Sequence, residues 1–234
     1  MDISIVVPAY NEEKRIIPTL NEISAYFKAR KKNFEIIVVN DGSSDNTQQI
    51  IERFCRENRE TILLSLEKNS GKGAAVKAGV LHAHGALILF SDSDLSTPIK
   101  EFEKLEYALT VGADIAIGSR RMKESIIPVP QPWHRRIAGS LFPLFVRLIA
   151  LPSFYDTQCG FKLFRASAAK NIFSQLTIEG FAFDVEILKI ALCQGWKIRE
   201  VPITWRNAPG SSVKLIRDSF IMTRDLIKIG FSKK

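Results

Sequence analysis

Three short polar clusters carry the chemistry that this sequence offers, and each sits at the end of an apolar run. Pro8, Ala9, Tyr10, Asn11 and Glu12 follow ISIVV; Asp41, Gly42, Ser43 and Ser44 follow FEIIVVN; Asp92, Ser93 and Asp94 close ALILFSD. Asp92 and Asp94 are two apart, so in an extended chain both project to one side. Two neighbouring carboxylates repel, and one protonates unless a cation neutralises them. A hard cation such as Mg²⁺ or Mn²⁺ takes carboxylate oxygens together with phosphate oxygens, which would tie the pair to a diphosphate. The competing reading is a solvated, self-capping Asp-Ser-Asp turn; the position at the end of a buried strand favours the metal. Asp41 has two open readings as well: a turn residue before an N-capped helix, or an acceptor for a base or ribose. In NSGKGAAVKAG (69–79) glycines lie near a helix start, where backbone N–H groups can hold an anion. The stretch lacks GxxxxGK[ST], and Val76 stands where the third glycine of GxGxxG belongs, so a packing or turn role is expected.

Elements of alternating type must position these clusters. Strand-like runs cover 3–7, 34–40, 61–66, 86–92 and 113–119, with helical patterns at 12–30, around Ile50 to Phe54, after Gly71, and at 99–109. That alternation predicts an α/β fold, a mainly parallel sheet covered on both faces. Ligands of such sheets bind at the carboxyl ends of the strands, where the three clusters fall. Beyond it, RRMKESIIPVPQPWHRR (120–136) reads as a loop. An apolar helix (137–151), a strand at 160–164, a helix around 183–193 and a strand at 197–205 follow. The tail from Val213 is a basic amphipathic helix, with Leu215, Ile216, Phe220 and Ile227 apolar and Lys214, Arg217, Arg224 and Lys228 basic. The expected organisation is one domain over 1–234, a nucleotide half (1–119) meeting an acceptor half (120–234).

Composition narrows the partner. Of 234 residues, 46% are hydrophobic and 25% charged, and 33 Lys+Arg against 25 Asp+Glu gives 33 − 25 = +8. That surplus points to an anion: nucleic acid, phospholipid headgroups or a phosphorylated small molecule. No basic reading helix or aromatic-basic RNA motif supports nucleic acid. Cys55, Cys159 and Cys193 have no metal or disulfide spacing, and His82, His84 and His134 have no metal-like companions. No signal peptide and no span of 18 apolar residues is visible. The helix 137–151, interrupted by Pro143 and Arg147 and flanked by Arg135 and Arg136, is expected either to dip into a bilayer surface or to be a core helix; the basic tail is expected to rest on anionic lipid.

The motifs VVPAYNEE, VVNDGSSDNT, NSGKGAAVKAG, DSDLSTP and GSR resemble the nucleotide-sugar half of family 2, GT-A fold glycosyltransferases. DTQCGFKLF (156–164), GFAFDVEIL (180–188) and EVPITWRNAPGSSVKL (200–215) resemble the dolichyl-phosphate β-glucosyltransferase branch and its polyprenyl-phosphate relatives, with dolichyl-phosphate mannose synthases nearby. The likeness runs over about residues 3–217. It implies a Rossmann-like, mostly parallel sheet with acceptor-side helices, and an inverting transfer of a hexose, glucose first, from a UDP-sugar to a prenyl phosphate. A hydroxyl acceptor, or mannose from GDP-mannose, are the alternatives; Ser96, where mannose synthases have a glutamine metal ligand, counts against mannose. By resemblance, Pro8, Tyr10, Glu12, Val39, Asp41, Lys72 and Ser93 serve the nucleotide sugar, Asp92 and Asp94 the Mg²⁺ or Mn²⁺, and Arg120, Arg206 and Lys214 the sugar and diphosphate. Arg121, Arg135, Arg136 and Lys162, with Arg165, are expected to receive an acceptor phosphate. Asp156 and Asp184 are the candidate bases for an alcohol acceptor, and Asp94, Arg120 and Asp184 the catalytic set. Asp184 has an N-cap as its competing reading, and Glu186, two positions on, must point away from it on a helix. The eukaryotic glucosyltransferases carry an N-terminal anchor and many mannose synthases C-terminal spans; with neither visible, peripheral attachment to the cytoplasmic membrane face is expected.

Overall fold

The computed structural model describes residues 1–129, 145–147, 149–207 and 215–231, the last segment with side chains for 221–230. Seven strands form one sheet: β1 (Ile3–Ala9), β2 (Phe34–Asn40), β3 (Thr61–Ser65), β4 (Leu87–Ser91), β5 (Ile115–Ser119), β7 (Phe161–Arg165) and β8 (Ile198–Pro202), in the order β3-β2-β1-β4-β7-β5-β8. β7 runs antiparallel between β4 and β5, and the other pairings are parallel. Two strands from the second half of the chain, β7 and β8, therefore complete the sheet of the first. β6 (Ile126–Val129) and β9 (Thr204–Arg206) form a separate parallel pair.

The helices are α1 (Ile16–Ala29), α2 (Thr47–Glu57), α3 (Lys72–His82), α4 (Phe102–Thr110, entered through a 3₁₀ turn at Ile99–Glu101), α5 (Ala166–Ser174), α6 (Phe183–Cys193) and α7 (Leu215–Phe231). Successive residues of β1 face opposite ways, as a pleated strand requires. Val6 joins Val80, Phe90, Phe173 and Leu188 in one apolar layer, while Ile5 and Val7 join Ile23, Phe27, Phe54 and Phe102 in the other. Both faces are covered, which is why the strands read as uninterrupted apolar runs.

Four expectations change, and one helix is added. The stretch expected to be a loop contains β6, whose pairing comes from the distant β9 and not from its own IIPV sequence. The strand expected at 197–205 divides into β8 and β9. α5 went unpredicted, its buried side being Ala168, Ala169, Ile172 and Phe173, half of them small. Of the apolar segment 137–151, the described part splits: Val146 and Leu151 are in the core, whereas Phe145 and Ile149 are exposed. In α7, Leu226 and Ile229 are buried and Ile227 faces out.

Candidate active site

β1, β2 and β4 are parallel neighbours, so the three polar clusters emerge along one edge, and they are tied together there. The Asn11 N–H donates to Ser43 Oγ (3.0 Å), and Asn11 Oδ1 accepts from the Ser44 N–H (2.9 Å). Asn11 has φ 55°, a left-handed conformation that asparagine tolerates. The Glu12 N–H donates to Thr47 Oγ1 (2.7 Å) at the start of α2, and Thr19 Oγ1 of α1 donates to the Ser93 carbonyl (2.6 Å), seating the third cluster against α1. Tyr10 is exposed at this edge, while the Glu12 carboxylate is closed by Arg15 at 2.6 and 2.7 Å. Pro8 is buried in β1. Val39 is corrected: its side chain is fully buried in the core, where a Cβ on Gly79 of α3 would lie 2.9 Å from it, so it cannot face a nucleoside.

Asp41 holds the glycine loop. Its two carboxylate oxygens accept the N–H groups of Ser70 (2.7 Å) and Gly71 (3.0 Å). Burial pushes its pKa up, against those two N–H donors and with a further push from Glu179. The next N–H groups, of Gly73 and Ala74, donate to the Glu179 carbonyl at 2.7 and 3.2 Å. Gly71, at φ 104°, has room for no Cβ, because Glu179 O stands 2.5 Å away. The loop thus serves packing, as its sequence implied, and presents Lys72 to the edge.

Asp92 and Asp94 lie in the turn after β4, not in the strand. The Asp92 N–H donates to the Gly160 carbonyl (3.0 Å), and a Cβ at Gly160 would collide with the Asp92 carboxylate. Lys72 Nζ stands 2.6 Å from Asp92 Oδ1. Asp94 Oδ1 accepts the Ser96 N–H (2.9 Å), and Leu95 between them takes φ 44°, strain of the kind stored at working sites. A cleft opens here, lined by both aspartates, Ser96, Thr97, Arg120 and Trp205. Among the described residues no group of three metal-ligating side chains occurs. Two carboxylates supply hard oxygen donors and leave most of a coordination shell for diphosphate oxygens and water, which fits Mg²⁺ or Mn²⁺.

The opposite wall is cationic. Arg120 grips Asp156 with Nε (2.6 Å), Nη2 (2.8 Å) and its backbone N–H (2.9 Å), and its guanidinium lies 5.6 Å from the centre of the Trp205 ring. Burial alone would raise the Asp156 pKa, but the Arg120 charge and hydrogen bonds hold it at about 2. Arg120 is shifted up in return, Asp156 outweighing the cost of burial. Arg206 is exposed, and its N–H donates to the Ser96 carbonyl (2.7 Å), which seats β9 against the aspartate turn. Arg121 is exposed beside Arg120.

Lys162 requires a second correction. It is fully buried on β7, with Nζ 2.5 Å from Asp184 Oδ1 and 2.6 Å from the Cys159 carbonyl, so no acceptor phosphate reaches it. Arg165 instead donates to the carbonyls of Leu109 and Ala113 behind α4. Asp184 lies in the first turn of α6, with Ala182 at the N-cap position, and burial pushes its pKa up despite the pull of Lys162 and Lys72. Glu186 does point away, accepting from Thr177 and Ile178. Arg135, Arg136 and Lys214 lie outside the described residues. Trp205, Gly160 and the Arg120–Asp156 pair went unassigned; the only signal was their presence inside GSR, DTQCGFKLF and EVPITWRN.

A mostly parallel sheet with carboxylates at its strand ends is the architecture of the GT-A class of sugar-nucleotide transferases. The chain belongs to glycosyl transferase family 2, whose family model matches residues 4–173. It is 40% identical over 236 residues to a dolichyl-phosphate beta-glucosyltransferase (ALG5C) of Trichomonas vaginalis, covering 97% of this chain and 70% of that one. Against the dolichyl-phosphate beta-glucosyltransferase of Saccharomyces cerevisiae the identity is 36%, over 97% of this chain and 73% of the relative. Glucosyl-3-phosphoglycerate synthase from Mycobacterium tuberculosis, solved with Mn²⁺, UDP-glucose and phosphoglyceric acid, shares the fold at a TM-score of 0.71 and 19% identity, covering 97% of this chain and 78% of that one. No helix among the described residues is long and apolar enough to cross a membrane.

Proposed function

We propose that this chain is an inverting hexosyltransferase that moves glucose from UDP-glucose to a polyprenyl or dolichyl phosphate. The observation that carries the acceptor is the state of the two candidate bases. An alcohol acceptor needs a group to take its proton. Asp156 is held at about 2 by Arg120, and Asp184 is buried against Lys162. Neither is placed to accept a proton from an incoming hydroxyl. A phosphate monoester, with a second pKa of ~6, arrives largely ionised and needs none. The relatives named above, dolichyl-phosphate glucosyltransferases over nearly the whole chain, support the same acceptor.

In this reading Tyr10, Glu12 and Asp41 border the nucleoside, and Asp92 and Asp94 hold Mg²⁺ or Mn²⁺ against the diphosphate. The ion, when bound, offsets the charge that gathers on the leaving UDP. Arg120, oriented by Asp156 and backed by Trp205, faces the same developing charge, and an orientation fixed in advance costs nothing at the moment of reaction. Ser93 keeps the turn in place through its backbone carbonyl. Arg121 and Arg206 supply exposed positive charge for the acceptor phosphate, and Arg135, Arg136 and Lys214 extend that role by sequence. Exposed Phe145, Ile149 and Tyr155, with Arg147 5.1 Å from the Tyr155 ring centre, and exposed Ile227 on α7 supply apolar and cationic groups for contact with a bilayer on the cytoplasmic side.

Incubation with UDP-glucose, Mn²⁺ and a short prenyl phosphate is expected to give a β-linked glucosyl phosphate lipid. Transfer to alcohols but not to prenyl phosphates overturns the acceptor. No transfer from any sugar nucleotide to either class overturns the reaction.

A further inference from the structure

Lys72 is the first residue of α3, and no acidic residue lies in that turn. A cation at a helix N-terminus opposes the macrodipole, so the local sequence does not explain it. The compensation comes from across the fold: Nζ lies 2.6 Å from Asp92 Oδ1, and Asp184 and Asp94 also draw its pKa upward against the cost of burial. Lys72 and the buried Lys162 flank the Phe90 ring, 5.4 and 5.8 Å from its centre. Two ion pairs, Lys162–Asp184 and Lys72–Asp92, therefore lie by the Phe90 ring, and the second ends on the carboxylate proposed to take the metal.

We infer that Lys72 is the resident counter-ion of Asp92 and exchanges with the divalent cation. This rests on the metal role proposed for Asp92 and goes beyond it. With no cation bound, the ammonium occupies Asp92 Oδ1 and relieves the repulsion between Asp92 and Asp94. A divalent ion on the same carboxylate meets a like charge at contact distance, so the two compete. Binding of the ion with a nucleotide diphosphate frees the ammonium, and the flexible four-carbon stem lets it turn to the diphosphate oxygens. The exchange makes metal binding depend on nucleotide: alone, the ion must displace Lys72, whereas with the diphosphate the displaced charge gains a new partner.

The test measures Mn²⁺ binding with and without UDP in the wild type, Lys72→Met and Lys72→Arg, read from the free Mn²⁺ paramagnetic signal. Lys72→Met is expected to bind Mn²⁺ alone about fivefold more tightly and, with Mn²⁺ present, UDP about fivefold more weakly, the net scale of a partly exposed ion pair. Lys72→Arg stays near the wild type. Mn²⁺ binding that is unchanged or weaker in Lys72→Met without UDP overturns the exchange while leaving the metal role intact. A wild type that binds no Mn²⁺ even with UDP overturns both. A measurement on the unmodified chain is independent of how the variants fold: amine acylation at Lys72, read by mass spectrometry, is expected to rise with Mn²⁺ alone and fall when UDP is added. An unaltered rate in both conditions contradicts the exchange.

Discussion

The donor edge and the wall behind it hold their carboxylates in opposite ways. At the edge, Asp94 is fixed by one backbone N–H group, and Asp92 shares one half-open contact with Lys72, the two side chains being 34% and 23% exposed; Asp41, buried with both oxygens taken by the glycine loop, behaves like the wall. In the wall, Asp156 is closed by the fork of Arg120 and Asp184 by the ammonium of Lys162, a pair only 4% and 0% exposed. A carboxylate meant to receive a guest keeps oxygens and solvent access. One meant to orient a cation is buried with it, and its charge is no longer available for chemistry. The buried carboxylates are scaffold for the cations they hold, the aspartates of the turn are machinery, and each should respond differently to substitution.

The largest separation is expected from Asp94→Ala, which should lower turnover by about 10³-fold, the scale of losing one stabiliser of transition-state charge. Thermal unfolding should barely move, since one turn hydrogen bond is lost. Comparable loss of stability would erase the distinction between the two regions. Lys162→Met is the mirror case: chemical denaturation should show a loss of about 3–5 kcal/mol, because Asp184 is left buried without its partner. Lys162→Met combined with Asp184→Leu should recover most of it, and no recovery would mean that packing, not charge, sets the wall.

Asp156 gives a pH signature. Its folded pKa of about 2 is below the ordinary 3.8, so its contribution is complete above that ordinary value and lost as pH falls towards 2. The shift corresponds to roughly 2 kcal/mol. Denaturation midpoints of Asp156→Asn should therefore lack that part of the acid limb between about pH 4 and pH 2. The smallest effect is expected at Gly160→Ala. Its new methyl group pushes against a movable carboxylate, so Asp92 should turn aside, with about tenfold weaker Mn²⁺-dependent activity and under about 1 kcal/mol of stability lost. A large stability loss there would mean that Asp92 is structural.

The same division explains what the sequence disclosed. Strands of the first half are buried on both faces and announce themselves as apolar runs, and a parallel sheet gathers their ends on one edge, so the shared location of Asp92, Asp94 and Asp41 was legible from position, while the role of Asp41 was left open. The resemblance extended that reading to Arg120. The wall was not legible, because its contacts are long-range. Lys162 looks like any basic residue until β7 is inserted between β4 and β5 and carries it into the core beside Asp184. Val39 likewise sits at a strand end, but its register turns it towards Gly79. β6 exists only because β9 returns to it, and that return brings Trp205 and Arg206 to the aspartate turn.

The account is tested most directly by a crystal of this chain grown with UDP-glucose and Mn²⁺. It predicts anomalous density for the ion shared between Asp92, Asp94 and the diphosphate oxygens, with the glucose in the cleft beside Arg120 and the Lys72 ammonium moved from Asp92 to the diphosphate. An ion bound away from both aspartates, or a diphosphate seated elsewhere than this edge, would contradict it.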